Sequence, residues 1–553
     1  MPNFLETIFS QLQRSADRVV LLEIHGEKIV SVTGKELLER VQRARTFLRN
    51  TGIQPGDRCA VLGANSIEWI ACDLALMAEK AIVVPLYSRQ AASDLVGMLK
   101  DCEPRLLLTG NEVLGAAVAS VWPTGPRQAL FADVIRANSP AAQLSTSPLP
   151  RTDADLVTII YTSGTSGEPK GVCLTTANLT HMIACTTGRL EQLMAGRREP
   201  DRIFHYLPMN FAASWIVMLS ALTRETEFTL STDLNKLADE IRIAAPNYFL
   251  NVPTLLERVR RGVEENIAKQ AAPIRNLYAR ARESWQRQHA GRKRMFDGVW
   301  IRLGNLLIFG KIRARFGSHL MALICGSAPL APETQQFFLM LGIPVMQGYG
   351  LTETTGICTL DDPCIPVEPG RVGQAVPGIE MRIGDNEEIL VRGPNVFAGY
   401  WNRPAETAKV MQEGWFHTGD QGEVNVGGNW RIVGRIKNLI ILNSGHNIAP
   451  EPIEDRLLQL LPAAQQVVLV GNGKGYLCAL VTGIVSSDAV QIALDAMNTE
   501  LPHYRQIRNF VVLRDVFSAE NGMLTANGKL RRDAINLRFA PEISAMYGRK
   551  ATA

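Results

Sequence analysis

The stretch Tyr161-Thr-Ser-Gly-Thr-Ser-Gly-Glu-Pro-Lys-Gly171 follows a β-branched run from Leu156 to Ile160. Its hydroxyls, glycines and single lysine predict a strand that enters a loop able to wrap N–H groups and side-chain donors around phosphate oxygens. The loop differs from the common P-loop, because Lys170 is followed by Gly171 and the glycine spacing is different. The stretch therefore predicts a strand and loop for a polyphosphate, with a solvent-exposed Ser/Gly-rich turn as the structural alternative.

The sequence before this loop alternates helical patterns with short apolar runs. A helix is predicted over Gly34 to Asn50, and strands are predicted near Cys59 to Leu62, Ala81 to Val84 and Leu106 to Leu108. Apolar strands that are each followed by turn residues or a helix are typical of a sheet covered on both faces. The pattern therefore predicts an α/β fold.

The length of 553 residues predicts at least two domains, because a single hydrophobic core stops growing well below this size. After the short strands and turns of Trp415 to Gly434, the chain carries a separate alternation of strands and helices, which begins at Leu439 to Leu442. This last part is long enough to fold alone. We predict an N-terminal domain of residues 1–435 and a C-terminal domain of residues 436–553.

The composition argues against several classes of protein. Apolar residues make up 46% and charged residues 20% of the chain, which is typical of a soluble globular protein. The formal net charge of +4 is small, so no nucleic-acid partner is expected. Nine cysteines without a CxxC pair argue against a disulfide framework or a zinc site and indicate the reducing cytoplasm. The N-terminus lacks a signal-peptide pattern, and charges interrupt the most apolar segment, Ile67 to Pro85.

One segment with a helical pattern is strongly basic. Residues 257–316 hold fifteen Lys or Arg against five Asp or Glu. A basic helical surface can lie on anionic lipid headgroups, so one interpretation is a peripheral contact at the inner face of a membrane. The other interpretation is a solvated helical insertion.

Five further motifs follow the loop in order, namely Gly326-Ser-Ala-Pro-Leu330, Gln347-Gly-Tyr-Gly-Leu-Thr-Glu353, His417-Thr-Gly-Asp420, Gly434-Arg-Ile-Lys437 and Asn527-Gly-Lys529. With the loop, they resemble the adenylate-forming (ANL) superfamily of acyl-CoA synthetases, luciferases and peptide-synthetase adenylation domains. The resemblance implies a large N-terminal domain with β-sheets flanked by helices and a small, mobile α+β C-terminal domain.

The resemblance also implies a reaction. Members activate a carboxylic acid with Mg²⁺ and ATP as an acyl-adenylate, release pyrophosphate, and pass the acyl group to a thiol, here that of coenzyme A. Glu353 would hold Mg²⁺, which prefers hard oxygen ligands, and Thr352 would donate to the α-phosphate. Contacts to ATP or AMP are expected from Thr162, Ser163, Gly164, Thr165, Ser166, Gly167, Lys170, Ser327, Ala328, Pro329, Gln347, Gly348, Tyr349, Gly350, Asp420 and Arg435.

Individual residues take finer roles in this resemblance. Lys529 matches the lysine that bridges the carboxylate of the acid and the α-phosphate, a role suited to a point charge on a flexible stem. Tyr349 would offer a flat face to adenine, Asp420 and Arg435 would contact the ribose, and Lys437 matches the hinge of the small domain. The structural alternatives for these motifs are an ordinary surface turn, a solvated linker and a basic tail.

Two features narrow the resemblance to long-chain fatty acyl-CoA synthetases. These are Tyr248-Phe-Leu-Asn-Val-Pro-Thr-Leu-Leu-Glu257 before the basic segment, and Gly445-His-Asn-Ile-Ala-Pro-Glu-Pro-Ile-Glu454. Gly445 falls where the family lets the pantetheine arm pass close to the backbone. Phe211 stands where long-chain members usually carry a histidine. Phe211 and Trp215 are therefore the candidate lining of an acyl pocket, whose preferred chain length the sequence leaves open.

The sequence also leaves the acceptor and the oligomeric state open. The adenylate would alternatively pass to a carrier-protein thiol, or be captured by a hydroxyl of the same acid to close a β-lactone. A nucleotide-binding protein without catalysis is a further alternative. It is disfavoured by the presence of all four polar candidates, Glu353, Asp420, Arg435 and Lys529.

Overall fold

The structure is a computed structural model that describes residues 2–136, 147–163, 169–197, 199–317, 319–518, 520–524 and 529–548. Four candidate phosphate-binding residues lie outside the described residues: Gly164, Thr165, Ser166 and Gly167. The side chain of Ser163 and residues 525–528, just before Lys529, lie outside them as well.

The largest sheet has nine strands, in the spatial order Gln374–Ala375, Thr359–Leu360, Val345–Tyr349, Ala322–Cys325, Tyr248–Asn251, Asp201–His205, Thr226–Ser231, Val19–His25 and Lys28–Thr33. The six strands from Val345–Tyr349 to Val19–His25 are parallel, and the outer strands pair antiparallel. The central strands Ala322–Cys325 and Tyr248–Asn251 are buried at every residue, as expected for a sheet covered on both faces.

A second sheet of seven strands carries the predicted phosphate loop. Its spatial order is Gly399–Tyr400, Pro169–Thr175, Leu156–Ser163, Ile82–Leu86, Arg58–Leu62, Leu106–Thr109 and Arg127–Leu130. The last five strands are parallel, whereas Leu156–Ser163 and Pro169–Thr175 form an antiparallel hairpin. The loop therefore joins two neighbouring strands at one end of the hairpin.

Three smaller sheets complete the strands. One has the five strands Glu380–Ile383, Glu388–Arg392, Met411–Gln412, Trp415–Val424 and Trp430–Arg435. A two-stranded sheet pairs Ile440–Ile441 with Asn447–Ile448, and a three-stranded sheet contains Ala464–Val470, Leu477–Gly483 and Ile507–Leu513.

The α-helices begin at sequence signals that satisfy their first N–H groups. Asn3 with Glu6, and Thr33 with Glu36, form capping boxes at the first two helices. The α-helices are Phe4–Arg14, Gly34–Asn50, Ile67–Ala78, Ala92–Cys102, Glu112–Val121, Phe131–Arg136, Thr176–Leu193, Ala212–Leu222, Leu237–Ala244, Pro253–Ala268, Ala272–His289, Asp297–Gly304, Gly310–Arg313, Pro332–Met340, Pro404–Val410, Glu451–Leu460, Ser487–Asn498, Arg532–Arg538 and Ala540–Gly548. A π-helical turn, Asn305–Phe309, follows Asp297–Gly304.

The chain divides into two compact units. The larger unit comprises Met1–Met381, Val391–Phe416 and Asn425–Trp430, and the smaller unit comprises Arg382–Leu390, His417–Val424 and Arg431–Ala553. The smaller unit thus includes two short segments that precede the predicted boundary between residues 435 and 436. That boundary stays a prediction about which part of the chain folds independently.

The predicted elements agree with the structure. The α/β fold is confirmed, the helix predicted over Gly34 to Asn50 has these bounds, and the three predicted strands of the second sheet are present. The strand predicted at Leu439 to Leu442 is shorter, at Ile440–Ile441. Among the described residues, no helix combines the length and apolarity needed to cross a bilayer.

Candidate functional site

The hairpin of the second sheet fixes Lys170 next to the predicted phosphate loop. Thr162 lies opposite Lys170 in the antiparallel register. The Lys170 ammonium forms an ion pair with Glu406, and it lies 5.2 Å from the centre of the Tyr400 ring. The same ammonium, by donating to Glu406, holds the pKa of that carboxyl below its usual value. The position of this lysine is therefore defined by named partners.

Tyr400 connects Lys170 to Glu353. The Tyr400 hydroxyl donates to Oε1 of Glu353 at 2.8 Å, while its ring contacts the Lys170 ammonium. The strand Gly399–Tyr400 reaches this position because it pairs antiparallel with Val172 and Cys173. Lys170, Tyr400, Glu406 and Glu353 form one group, which we call the Lys170 cluster. It combines a cation for phosphate oxygens with a carboxylate suited to a hard metal ion.

The sequence motifs did not point to Tyr400 or Glu406. Tyr400 is 230 residues from Lys170 in the chain, and only the strand pairing brings the two together. The signal that was available is the run Gly399-Tyr-Trp401 followed by Pro404 and Glu406, which sequence analysis left without a role.

A tight turn holds Glu353 at the end of the strand Val345–Tyr349. A Cβ on Gly350 would lie 2.5 Å from the carbonyl oxygen of Gly356, so only glycine permits this approach. The chain then forms the single 3₁₀ turn Thr352–Thr354, and the carbonyl of Glu353 accepts the N–H of Phe397 at 2.8 Å. The backbone of Glu353 is thus tied to the segment that carries Tyr400.

The remaining residues of this motif are mostly enclosed. The Gln347 side chain donates to Oε1 of Gln335 at 2.9 Å and to the carbonyl of Arg371 at 3.0 Å. Its N–H donates to Asp361 at 2.7 Å, and burial raises the pKa of Asp361 to about 7. Tyr349 is buried, whereas Gly348, Gly350 and Thr352 are half-buried. In this structure Gln347 therefore anchors the end of the strand.

Ser327, Ala328 and Pro329 lie beside this motif. They follow the strand Ala322–Cys325, which runs parallel to Val345–Tyr349 with Cys325 opposite Gln347. Ser327 adopts a φ of +73°, a left-handed conformation that is uncommon outside glycine. Parallel pairing brings two predicted ATP-binding motifs together at the carboxyl ends of adjacent strands, where ligands bind in open α/β sheets.

Phe211 and Trp215 occupy different environments. Phe211 is half-buried, immediately precedes the helix Ala212–Leu222, and its ring centre lies 6.1 Å from that of Tyr87. The first turn of this helix packs near the motif, since a Cβ on Gly356 would lie 3.2 Å from the backbone of Ala213.

Trp215 is fully buried, and its indole N–H donates to Oδ2 of Asp73 at 2.8 Å. Burial raises the pKa of Asp73 to about 7. Phe211 is therefore the more accessible of the two candidates for an acyl pocket.

In the smaller unit, Asp420 and Arg435 form an ion pair. Nε of Arg435 lies 2.7 Å from Oδ1 of Asp420, whose side chain is almost fully enclosed. The preceding turn is fixed by Glu388, which contacts the His417 ring at 2.8 Å and accepts the N–H of Gly419 at 2.8 Å. The two residues predicted to contact a ribose are thus neighbours.

Lys437 and Lys529 also lie near each other in the smaller unit. Burial lowers the pKa of Lys437, the nearby Arg435 lowers it further, and Lys529 acts in the same direction. Lys529 itself is exposed. The helix Arg532–Arg538 after it is held because the Arg532 guanidinium donates to both carboxylate oxygens of buried Glu454, at 2.8 and 2.5 Å.

Gly445 lies in the turn between the strands Ile440–Ile441 and Asn447–Ile448. Its φ of +83° suits glycine, and no described atom comes within 4 Å of the place where a Cβ would stand. The adjacent His446 ring stacks on Tyr504, with centres 4.3 Å apart. The turn therefore presents open backbone beside an aromatic pair.

Relatives of this chain are found over its whole length. It is 28% identical to the long-chain-fatty-acid–CoA ligase FadD15 of Mycobacterium bovis, over 99% of this chain and 97% of that protein. It is 25% identical to the long-chain-fatty-acid–[acyl-carrier-protein] ligase AEE15 of Arabidopsis thaliana, over 97% and 86% of the respective chains. The crystal structure of ATP-bound MatB from Rhodopseudomonas palustris shares the fold, with a TM-score of 0.74, 23% identity, and coverage of 97% and 99%.

Two family domains match in the order that the sequence motifs predict. The AMP-binding enzyme domain matches residues 8–401, and the AMP-binding enzyme C-terminal domain matches residues 437–551. The first match includes the Lys170 cluster up to Tyr400, and the second includes Lys437, Gly445 and Lys529. The chain belongs to the AMP-binding enzyme family.

Proposed function

We propose that this enzyme joins a fatty acid to coenzyme A in two half-reactions. A carboxylate is a poor electrophile, since it is anionic and its leaving group would be oxide. In the first half-reaction a carboxylate oxygen bonds to the α-phosphorus of ATP and the bond to the β-phosphate oxygen breaks, which gives acyl-AMP and pyrophosphate. In the second, the thiol sulfur bonds to the acyl carbon and AMP leaves.

The observation that carries this proposal is the Lys170 cluster. Lys170 supplies a fixed cation for the departing phosphates, and Tyr400 holds the Glu353 carboxylate beside it. Phosphoryl transfer is catalysed mainly by positioning and charge stabilisation, which is what such an arrangement provides.

The donor set of the cluster suits Mg²⁺. A Mg²⁺ ion that arrives with a triphosphate is held by phosphate oxygens, water and one or two carboxylates, so a single well-placed carboxylate is sufficient. Glu353 is half-buried and fixed at Oε1 by Tyr400, so it would hold the ion. When bound, the ion neutralises charge on the triphosphate.

The smaller unit would supply the remaining groups. Asp420 and Arg435 would contact the ribose, and Lys529 would bring the acid carboxylate and the α-phosphate together, because its charge offsets the repulsion between two anions. Rotation about Lys437 would then exchange Lys529 for the turn at Gly445, whose open backbone suits the pantetheine arm. Phe211 is the proposed acyl-pocket contact, with Trp215 behind it.

A carrier-protein thiol is the second candidate acceptor. It is favoured by the similarity to a ligase named for acyl-carrier protein, over 97% of this chain. Closure of a β-lactone has no comparable support.

The acid and the acceptor are tested together by pyrophosphate release. Saturated fatty acids of increasing length, with aryl and hydroxy acids included, are supplied with coenzyme A, with an acyl-carrier protein, or with neither. We expect multiple turnovers only for fatty acids with coenzyme A, because the adenylate stays bound without a thiol. Multiple turnovers with the carrier alone would transfer the proposal to the second candidate. Turnover without any thiol would contradict both.

Tyr400 gives a second prediction, as a positioning residue. Tyr400→Phe keeps the ring beside Lys170 but removes the donor to Glu353, so we expect acyl-AMP formation to slow about tenfold, the effect of losing one hydrogen bond to a charged group. The concentration of Mg²⁺ needed for half-maximal rate should rise as well. Tyr547→Phe, which removes a hydroxyl bonded to the carbonyl of Val470, is the matched control. An unchanged Mg²⁺ dependence in Tyr400→Phe would limit Tyr400 to a structural role.

A cytoplasmic location is proposed for the enzyme. All nine cysteines are free and most of them are buried, which fits a reducing compartment. A peripheral contact with a membrane is proposed for the basic segment, and its geometry is developed below.

A further inference from the structure

An exposed apolar face runs along the end of the basic segment. It spans the turn before the helix Asp297–Gly304, that helix, and the π-helical turn Asn305–Phe309. Met295 is 85% exposed, Phe296 62% and Leu306 74%. The full set, which we call the apolar face, is Met295, Phe296, Val299, Leu303, Leu306 and Leu307.

The opposite side of the same segment is firmly packed. Ile308 and Phe309 are buried in a core cluster, and the Phe309 ring meets Tyr278 edge to face at 6.1 Å. Gly304 is enclosed, since a Cβ there would lie 2.7 Å from Cβ of Ala281. The apolar face is therefore held outward by a packed segment, and its exposure is a property of the fold.

The charges around the apolar face are almost all of one sign. Between residues 290 and 317 the sequence has seven basic residues: Arg292, Lys293, Arg294, Arg302, Lys311, Arg313 and Arg315. All seven are exposed. The single acid in this range, Asp297, is buried and its Oδ1 lies 2.6 Å from the Arg287 guanidinium. The surface thus combines large apolar side chains with uncompensated positive charge.

We propose that the apolar face docks onto an anionic lipid bilayer. Apolar side chains would enter the boundary between headgroups and acyl chains, while the basic residues would contact anionic headgroups. A second copy of the chain fits less well, because a symmetric contact through this segment would bring two sets of seven cations together. Contiguous exposed apolar patches of this kind mark interaction sites in soluble proteins.

The docking surface also connects to the candidate site, and this step rests on the proposed function. The core cluster that anchors Ile308 and Phe309 includes Leu330, the last residue of the predicted Gly326–Leu330 motif. A long-chain fatty acid partitions into bilayers because each buried methylene is favourable by about 0.8 kcal/mol. Docking would place the enzyme where such a substrate is concentrated.

Sedimentation with vesicles tests the proposal directly. The full-length chain is mixed with vesicles of phosphatidylcholine alone, or of phosphatidylcholine and phosphatidylglycerol in equal amounts, and the bound fraction is measured. We expect binding to the anionic vesicles that weakens with salt. Leu306→Asp should weaken it at least about tenfold, because an apolar insertion is lost and a like charge to the lipid is added. Arg302→Glu should weaken binding to the anionic vesicles only.

The control variant is Ile484→Asp, which changes an aliphatic side chain that is 95% exposed in the smaller unit. Its binding should equal that of the unchanged chain. Equal binding by Leu306→Asp would overturn the proposal. So would an absence of vesicle binding together with a dimer that Leu306→Asp converts to monomer in analytical ultracentrifugation, which would assign the face to a second copy.

Activity separates this proposal from the proposed function. Pyrophosphate release from a water-soluble fatty acid without lipid should be the same for Leu306→Asp and the unchanged chain. Loss of vesicle binding with normal release supports the docking surface. Absence of release in the unchanged chain would overturn the proposed function while leaving the vesicle result valid.

Discussion

Replacing Lys529 by alanine is expected to reduce acyl-AMP formation by about a hundredfold to a thousandfold. The ammonium is proposed to lie between the carboxylate of the acid and the α-phosphate, where two negative charges must approach. Removing it leaves that repulsion without a counter-charge in the transition state. The measurement is the single-turnover rate of pyrophosphate release at saturating ATP and acid.

The second half-reaction supplies the internal control. When acyl-AMP is added directly, Lys529→Ala should form the thioester at close to the normal rate, because Lys529 has been withdrawn in that step. Lys474→Ala, which removes a lysine lying 5.3 Å from the Tyr547 ring in the same unit, should leave both rates unchanged. An equal loss of both half-reactions in Lys529→Ala would contradict the exchange of groups about Lys437.

The fold was predictable because its signals are local. The helix Gly34–Asn50 has an amphipathic period and a Thr33–Glu36 capping box, both of which lie within a few residues of each other. The strand Ile82–Leu86 is a short β-branched run that is buried throughout. Such patterns constrain the backbone without any knowledge of distant partners.

The contacts of the site were not predictable in the same way. The Tyr400 hydroxyl reaches Glu353 only because Gly399–Tyr400 pairs with Val172 and Cys173, and the Gly350 turn brings the motif back. Lys170 and Glu353 were identified from their motifs, but no local pattern specifies that a phenol joins them. Pairings between strands far apart in sequence are decided by the packing of the whole sheet.

The basic segment shows a second limit of sequence reasoning. Counting charges between residues 257 and 316 indicates a cationic surface, and an apolar residue such as Leu306 is by default expected inside. The structure places Leu306 outside, because Ile308 and Phe309 take the buried positions of that turn. Which apolar side chains are buried depends on the rotation of the helix against its core, which the composition does not contain.

Glu353→Gln is expected to slow acyl-AMP formation by about a hundredfold, the usual effect of removing one charge-stabilising group. The amide keeps an oxygen that can accept the Tyr400 hydroxyl, so the geometry of the Lys170 cluster is preserved while the negative charge is lost. A neutral amide oxygen is a weaker ligand for Mg²⁺, so the rate should recover partly at high Mg²⁺. The measurement is pyrophosphate release as a function of Mg²⁺ concentration.

Comparison with Tyr400→Phe separates charge from hydrogen bonding. Glu380→Gln changes an exposed glutamate paired with Arg392 in the larger unit, so it should not alter the Mg²⁺ dependence. The double variant Glu353→Gln with Tyr400→Phe should be slowed by less than the product of the two separate effects, because the hydroxyl acts only through the carboxylate. If the two effects multiply instead, Tyr400 contributes through Lys170, and the link between the phosphate-loop lysine and the metal-binding carboxylate has to be given up.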